Sequence, residues 1–561
     1  MTLSIWAPAA NTLDVCIGTQ RHPMHRTRAG LWEVHLKIPP EGLRYRLSVN
    51  GGPPLPDPTS RWQPDGVHGD SWIGPPPPVP TPLARPRPLA DAVIYEIHLG
   101  TFTPEGTYAA AEKRLRHLVD LGITHVEIMP LATFPGQRGW GYDGTYWFAP
   151  HPAYGTPAEL SAFVSACHAH GLAVLLDMVY NHFGPDGNYL PVLGPCFSAQ
   201  RTLWGEALNF DGPESDGLRQ LILDSATLWL RDYGFDGLRL DAVHAIVDTR
   251  ALHILEELAQ HVRDLGEQLR RPLVLVAESD LHDPRLVRPV SAGGYGLDAF
   301  WADDFHHAVH RYLTGESHAY YADFNGLADI ARSIREGYVY QGQYAPSRRR
   351  GHGRPPLGVD REQFVFCIQN HDQTGNRARG ERLSMLLPPE KLKAAAALLL
   401  LSPQVPLLFQ GEEWGARTPF LYFTDHVDPK LGQAVTEGRR REFPGHDEIA
   451  DPQAPATFER SRLDWRELDL PDHANILSWY RRLISLRRDL AGADCQVRVD
   501  EKAGWLTLDR GSILAVFNFA PTPQSIPLPT GNWRLEMSSH SNAPVGALTP
   551  ANSTTIFRAT P

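Results

Sequence analysis

Four short apolar runs in this chain stop abruptly at polar side chains, and that recurrence constrains the fold more than any other feature. Leu175-Leu176-Asp177-Met178-Val179 leads into Tyr180-Asn181-His182, and Gly237-Leu238-Arg239-Leu240 leads into Asp241. Leu273-Val274-Leu275-Val276-Ala277 delivers Glu278, and Phe364-Val365-Phe366-Cys367-Ile368 delivers Gln369-Asn370-His371-Asp372-Gln373. Each run has the length and apolar character of a buried strand. A strand that hands Asp, Glu, Asn or His to its carboxyl end is the building unit of a parallel (β/α)8 barrel, whose site is assembled at that end from several strands. Any one run is also explained by a satisfied polar residue closing a strand. All four in order point to the barrel.

The second run carries the most chemistry. With a side-chain period of two, Arg239 and Asp241 share one face. A carboxylate beside a guanidinium that never loses its charge is held ionised, as a nucleophile requires. A structural ion pair is the competing reading of those two residues alone.

The chain has 561 residues, enough for several domains and a large core. Hydrophobic content of 42% and charged content of 21% are ordinary for a soluble globular protein. A net charge of −11 offers no basic surface for nucleic acid or anionic membrane, so neither is expected as a partner. Cys16, Cys167, Cys196, Cys367 and Cys495 are an odd, sparse set without metal-ligand spacing, which argues against a disulfide framework. The first residues show no basic region followed by an apolar segment, and no run reaches membrane-spanning length. A cytoplasmic enzyme without cofactor or metal is the expectation; Asn181 alone supplies too few oxygens to specify calcium.

Residues 1–74 read as strands broken by turns: Leu3–Trp6, Leu13–Ile17, Leu31–Ile38 and Arg44–Val49. Trp32, Trp62 and Trp72 in this stretch suit core or interface packing better than stacking on sugar. A proline-rich stretch over 75–90 reads as a stiff, extended linker. The barrel is expected over 91–488, with strands at Val93–His98, Thr124–Met129, Ala173–Val179, Gly237–Leu240, Leu273–Ala277, Ala299–Trp301, Phe364–Ile368 and Val405–Phe409. Residues 489–561 read as a small β-domain, with strands at Val497–Val499, Trp505–Leu508, Ile513–Phe517 and Trp533–Met537.

The four polar-ended segments resemble the four sequence regions of the α-amylase clan of retaining glycoside hydrolases. Ile5-Trp6-Ala7-Pro8-Ala9-Ala10 resembles the start of the Ig-like β-sandwich module that precedes the barrel in several of its members. The resemblance implies Asp241 as nucleophile, Glu278 as general acid/base and Asp372 as transition-state stabiliser. It also implies that Tyr142, Asp177, His182, Arg239, His244, His371, Gln373 and Asn376 surround the sugar, with Tyr142 stacking beneath it. The chemistry asks for such a set independently. Retaining cleavage needs a carboxylate nucleophile and a second carboxyl that starts protonated, so their surroundings must differ.

Segments outside those four regions resemble the maltooligosyl trehalose trehalohydrolases of the clan more than its branching enzymes. They include Ala277-Glu278-Ser279-Asp280-Leu281-His282-Asp283-Pro284-Arg285, Trp301-Ala302-Asp303-Asp304-Phe305-His306-His307 and Glu437-Gly438-Arg439-Arg440-Arg441-Glu442-Phe443. This implies hydrolysis of the α-1,4 bond next to the terminal trehalose of maltooligosyl trehalose, with maltooligosyl trehalose synthase as the pathway partner. Asp303, Asp304, His306 and His307 are expected to read the trehalose. Helix capping with exposed histidines, or a metal site, are the other readings of that cluster. A glycogen branching enzyme is the rival function.

Overall fold

The four polar-ended runs are four of eight parallel strands that close on themselves. The computed structural model describes residues 2–28, 30–37, 39, 41–444, 449–540 and 548–560. Its barrel strands are β1 (Ile94–Ile97), β2 (His125–Ile128), β3 (Ala173–Met178), β4 (Gly237–Leu240), β5 (Val274–Ala277), β6 (Ala299–Trp301), β7 (Phe364–Cys367) and β8 (Val405–Phe409). Each pairs in parallel with the next, and β8 returns to β1. All eight lie where the sequence puts them, within a residue or so at each end.

The register sets up the chemistry. Asp177 on β3 stands directly opposite Arg239 on β4, and Glu96 on β1 opposite Glu127 on β2. Gly237 lets β4 and β5 approach closely beneath this level. A Cβ there would meet Val274 Cγ2 at 2.4 Å and the Val274 carbonyl oxygen at 2.5 Å.

Two further β regions flank the barrel. The first has a three-stranded sheet built on Thr2–Trp6 and Leu31–His35 and a four-stranded sheet built on Leu13–Ile17 and Leu43–Val49. Ile38, where the expected third strand ends, lies outside the described residues. Trp32 is core, its indole donating to the Ala7 carbonyl at 3.0 Å. Trp6 seats this region on the barrel by lying over the helix Ser215–Thr227; a Cβ on Gly217 would fall 1.9 Å from its indole nitrogen. The second is a five-stranded antiparallel sheet over Gln496–Thr560, whose Arg510 donates to the carbonyls of Leu401 and Leu490 at 2.7 and 3.0 Å.

Residues 75–88 form no helix or strand, and they do not hang free. His168 and Ser161, on the helix Pro157–Ala169, bond to the Thr81 and Pro78 carbonyls, and Arg87 donates to the Gly171 carbonyl. The segment is strapped along the barrel wall. All five cysteines are free thiols, four of them buried. No helix among the described residues is long and apolar enough to cross a membrane.

Candidate active site

The carboxyl ends of β3, β4 and β5 meet on a single guanidinium. Arg239 is fully buried. Its Nη1 donates to both oxygens of Asp177 at 2.8 Å and to Asp241 Oδ1 at 2.9 Å. Its Nη2 lies 3.0 Å from Glu278 Oε2, close enough for an ion pair but without hydrogen-bond alignment. The guanidinium face rests on the Trp301 ring from β6 at 4.3 Å. One cation thus faces three carboxyls that leave the strands within a few ångströms of each other.

The backbone after the nucleophile candidate is strained to serve the acid candidate. Ala242 has φ 38°, a left-handed conformation that a side chain disfavours. In that conformation its N–H points at Glu278 Oε2, 2.7 Å away. Glu278 N donates to the Leu240 carbonyl and Val243 N to the Glu278 carbonyl, both at 2.9 Å, so the ends of β4 and β5 are laced together.

Burial separates what the two carboxyls can do. Burial, with repulsion from Asp241 and Asp372 added against the pull of Arg239, pushes Glu278 up to about 7. Burial and the charges of Asp177 and Asp372 push Asp241 up to about 6, with Arg239 again opposing. Asp241 also has the aligned Arg239 hydrogen bond, so it is the group that ionises first. Near neutral pH an ionised Asp241 and a protonated Glu278 therefore coexist, as displacement at a sugar carbon with departure of a protonated oxygen requires.

A second chain of contacts runs behind the pair. Tyr142 Oη donates to Asp177 Oδ2 at 2.5 Å and meets His371 Nε2 at 2.8 Å. Glu96 accepts from His371 Nδ1 at 2.5 Å and from its backbone N–H at 3.0 Å. Burial works against charge on His371, yet Glu96 and Asp372 outweigh it and lift the imidazole to about 9. The sequence Glu96–His371–Tyr142–Asp177–Arg239 is thus one continuous hydrogen-bonded path across the barrel mouth. Glu127 sits below it, buried, with neither carboxyl oxygen hydrogen-bonded among the described residues; burial and the nearby Glu96 and Asp177 drive its pKa far up.

The remaining predicted residues divide by orientation. Asp372 is partly exposed, 3.6 Å from His371 Nε2, and accepts from Asn376 Nδ2 at 3.1 Å. His182 Nε2 donates to the Tyr142 carbonyl at 3.0 Å, leaving a buried Nδ1 without a partner among the described residues. His244 is half-buried, its Nδ1 3.5 Å from the Asp280 N–H. Gln373 is buried, its Oε1 without a partner among the described residues. Asp303 carries a carboxyl with no hydrogen-bond partner among the described residues, pushed up to about 7 by burial and by Glu278 and Asp372. It faces Glu278 and Asp372.

Its neighbour does not. Asp304 opens the helix Asp304–Thr314 fully buried, accepting from the Val339 and Tyr340 N–H groups at 2.6 and 3.0 Å on one oxygen and pairing with His282 on the other. His306 spends both ring nitrogens on the Ile368 carbonyl and the Tyr321 hydroxyl, and His307 is buried against Tyr320 and Phe324. Of the Asp/His cluster, the structure brings Asp303 to the site and turns Asp304 and His306 into the scaffold.

Three residues escape the sequence reading. Glu96 rides a strand with the same polar-in-apolar signature as the others, which would have revealed it. Trp301 ends β6 and forms the floor under Arg239. Trp204 projects from the tip of the hairpin Phe197–Thr202/Gly205–Leu208, 42% exposed, with its ring 5.9 Å from His182 and 5.8 Å from His244. Only the fold places it there.

Comparison with known proteins agrees with this geometry. Residues 83–191 match the alpha amylase catalytic-domain family. The malto-oligosyltrehalose trehalohydrolase of Rhizobium sp. (strain M-11) is 47% identical, over 94% of this chain and 92% of its own length. A Salmonella typhimurium protein assigned provisionally as an alpha amylase, solved at 1.4 Å, superposes with a TM-score of 0.91 at 37% identity, covering 99% of this chain and 97% of its own. The 1,4-alpha-glucan branching enzyme GlgB of Rhodopseudomonas palustris (strain HaA2) is far more distant, at 26% identity over 93% of this chain and 72% of its length. At 47% identity over 94% of its length, the chain belongs to the malto-oligosyltrehalose trehalohydrolase family within the α-amylase clan.

Proposed function

We propose that this chain hydrolyses the α-1,4 bond joining a maltooligosaccharide to a terminal trehalose, releasing trehalose and a shortened glucan. Asp241 attacks the anomeric carbon of the glucosyl unit. The carbon–oxygen bond to trehalose breaks as Glu278 passes its proton to the departing oxygen. Glu278, now a carboxylate, takes a proton from water; the oxygen of that water attacks the same carbon and Asp241 leaves, with retention overall. Asp372, His182 and Tyr142 hold the reacting sugar, with Arg239 and His371 buried directly behind them, Gln373 and Asn376 line its rim, and Trp204 with His244 offers a stacking face beside it. Asp177 acts through Arg239 and Tyr142. Asp303 is the residue best placed to read trehalose.

The observation that carries this reading is the shared Arg239 between two buried carboxyls, of which Asp241, with the aligned hydrogen bond, ionises first at about 6 and Glu278 is pushed up to about 7. The division into residues 1–74, 75–90, 91–488 and 489–561 goes with it, as do a cytoplasmic setting and a supply of substrate from a maltooligosyl trehalose synthase. The decisive experiment is product analysis. Incubation with maltooligosyl trehalose releases free trehalose, whereas new branch points on amylose without trehalose release would identify a branching enzyme instead.

A further inference from the structure

Just behind Glu278 the chain makes an unusual turn around one buried histidine. His282 has φ 52°, left-handed backbone for a residue that carries a side chain, and is 5% exposed. Such strain persists only where the surroundings hold it. What holds it is a set of contacts to three separate elements. Its Nε2 lies 3.0 Å from Asp304 Oδ1, at the head of the helix after β6. Its Nδ1 lies 3.2 Å from the Asp280 carbonyl oxygen on its own loop, and 3.2 Å from His352 Nε2 on the hairpin Gln341–Ala345/Arg350–Gly353. Its own carbonyl accepts from the Arg354 N–H at 3.0 Å. His352 Nε2 in turn lies 2.8 Å from the Asp280 carbonyl, so that oxygen accepts from the hairpin as well.

The Asp280 side chain is already committed. Arg348 of the same hairpin donates to both its oxygens, from Nη1 at 2.7 Å and from Nη2. This decides how the two facing ring nitrogens are read. A pair 3.2 Å apart also suits two ligands of a tetrahedral zinc, whose nitrogens stand about 3.3 Å apart. A dication there would face the Arg348 guanidinium, whose charge already neutralises the Asp280 carboxylate. A protonated ring fits instead: its Nε2 side in ion-pair range of the Asp304 carboxylate, its Nδ1–H to the Asp280 carbonyl.

We propose that His282, as an imidazolium, is a positioning residue that clamps the loop behind Glu278, the Asp304 helix and the 341–353 hairpin into one wall on the leaving-group side of the site. This rests on the trehalohydrolase reading above, since that wall is what the departing trehalose would meet. The charged and titratable groups facing the ring are Asp280 on the loop, Asp303, Asp304 and His307 on the helix, Arg348 and His352 on the hairpin, and Tyr338 and Tyr340 just ahead of it, whose rings pack edge-on against the imidazole at 5.0 and 5.5 Å. Burial disfavours the proton, but Asp304 and Asp280 together outweigh burial and Arg348 and hold the His282 pKa above its ordinary value. Asp304 itself is drawn down to about 2, chiefly by His282 acting against burial. The clamp is therefore closed at low pH and opens as pH rises through the raised pKa of His282, when the ring loses the N–H that reaches Asp280.

The test separates binding of the leaving group from chemistry. Trehalose inhibition of α-maltosyl fluoride hydrolysis is measured across pH for the wild type, for His282→Asn, which tolerates positive φ, and for Asp304→Asn. The wild-type inhibition constant is expected to rise with pH. His282→Asn should raise it roughly tenfold at pH about 6.5 and abolish the pH dependence, with fluoride hydrolysis within about twofold of wild type. Asp304→Asn should move the rise to lower pH. In 15N-histidine NMR of the whole protein, the His282 resonances, assigned by their loss in His282→Asn, should show both ring nitrogens protonated at pH about 6, below the ordinary histidine value. A neutral ring there, or unchanged inhibition in His282→Asn, would overturn the proposal. So would one equivalent of tightly held zinc that is lost in His352→Gln. A wild type that releases no trehalose from maltooligosyl trehalose refutes the functional reading instead, and the NMR measurement still decides the proton.

Discussion

The opposed protonation of Asp241 and Glu278 fixes the shape of the pH–rate profile. The productive enzyme has Asp241 ionised and Glu278 protonated. The pair titrates with apparent values of about 6 and about 7, set mainly by burial. For two groups so placed, roughly 60% of molecules are productive near pH 6.5 and roughly 10% near pH 5 or pH 8. The second-order rate constant for trehalose release should therefore follow a narrow bell, falling roughly sixfold on either side. The perturbation that isolates the limbs is a change of leaving group. Fluoride departs with little protonation, so the first half-reaction of an α-maltosyl fluoride needs only ionised Asp241. Its kcat/KM should keep the acid limb and lose the alkaline one. The assay is fluoride release against trehalose release over the same buffers. Superimposable bells for the two substrates would show that Glu278 is not the proton donor, and a flat natural-substrate profile through pH about 8 would show that burial does not raise it.

Three further outcomes follow from the geometry. Asp241→Asn preserves shape and one Arg239 contact but not the nucleophile; turnover should fall by about three orders of magnitude or more with the melting temperature little changed, and a near-normal rate would remove Asp241 from the reaction. Tyr142→Phe strips the hydroxyl from between Asp177 and His371, leaving a buried donor unsatisfied. The loss should be about 2–4 kcal/mol of stability; calorimetry finding the melting temperature unmoved would contradict that. Asp303→Asn should lower the efficiency on maltooligosyl trehalose relative to plain maltooligosaccharide roughly tenfold with little effect on stability, whereas Asp304→Ala should chiefly destabilise. Parallel losses on both substrates in Asp303→Asn would deny it a selective role.

The barrel was legible because a buried parallel strand is a nearly continuous apolar run, and each here is bounded by turn residues or a polar stop. β4 and β8 appear with the bounds read from sequence. The flanking sheets were harder. Gln20–Pro23 and His25–Arg28 are polar strands with no alternation to betray them, and Ser553–Thr560, beside Ile513–Asn518 in the last sheet, is masked by its run of hydroxyl residues. Within the site, the strand residues Glu96 and Trp301 carried a signal in their own runs, whereas Trp204, at a hairpin tip, carried none. Asp303 and Asp304 differ by one helical step, roughly 100° of rotation, and that step alone sends one carboxyl to the site and the other into the wall. Nothing local in the sequence records that phase.

Arg239 has a consequence beyond charge. A guanidinium is planar and stiff, and its two terminal nitrogens stand at a distance that no thermal motion of the protein alters appreciably. Because one of them touches Asp241 and the other Glu278, the spacing between attacking and donating carboxyls is referred to a covalent gauge, not to the separation of two strands. When the barrel breathes, both carboxyls travel with the gauge, so fluctuations change how deeply a sugar sits far more than they change the gap across which it reacts.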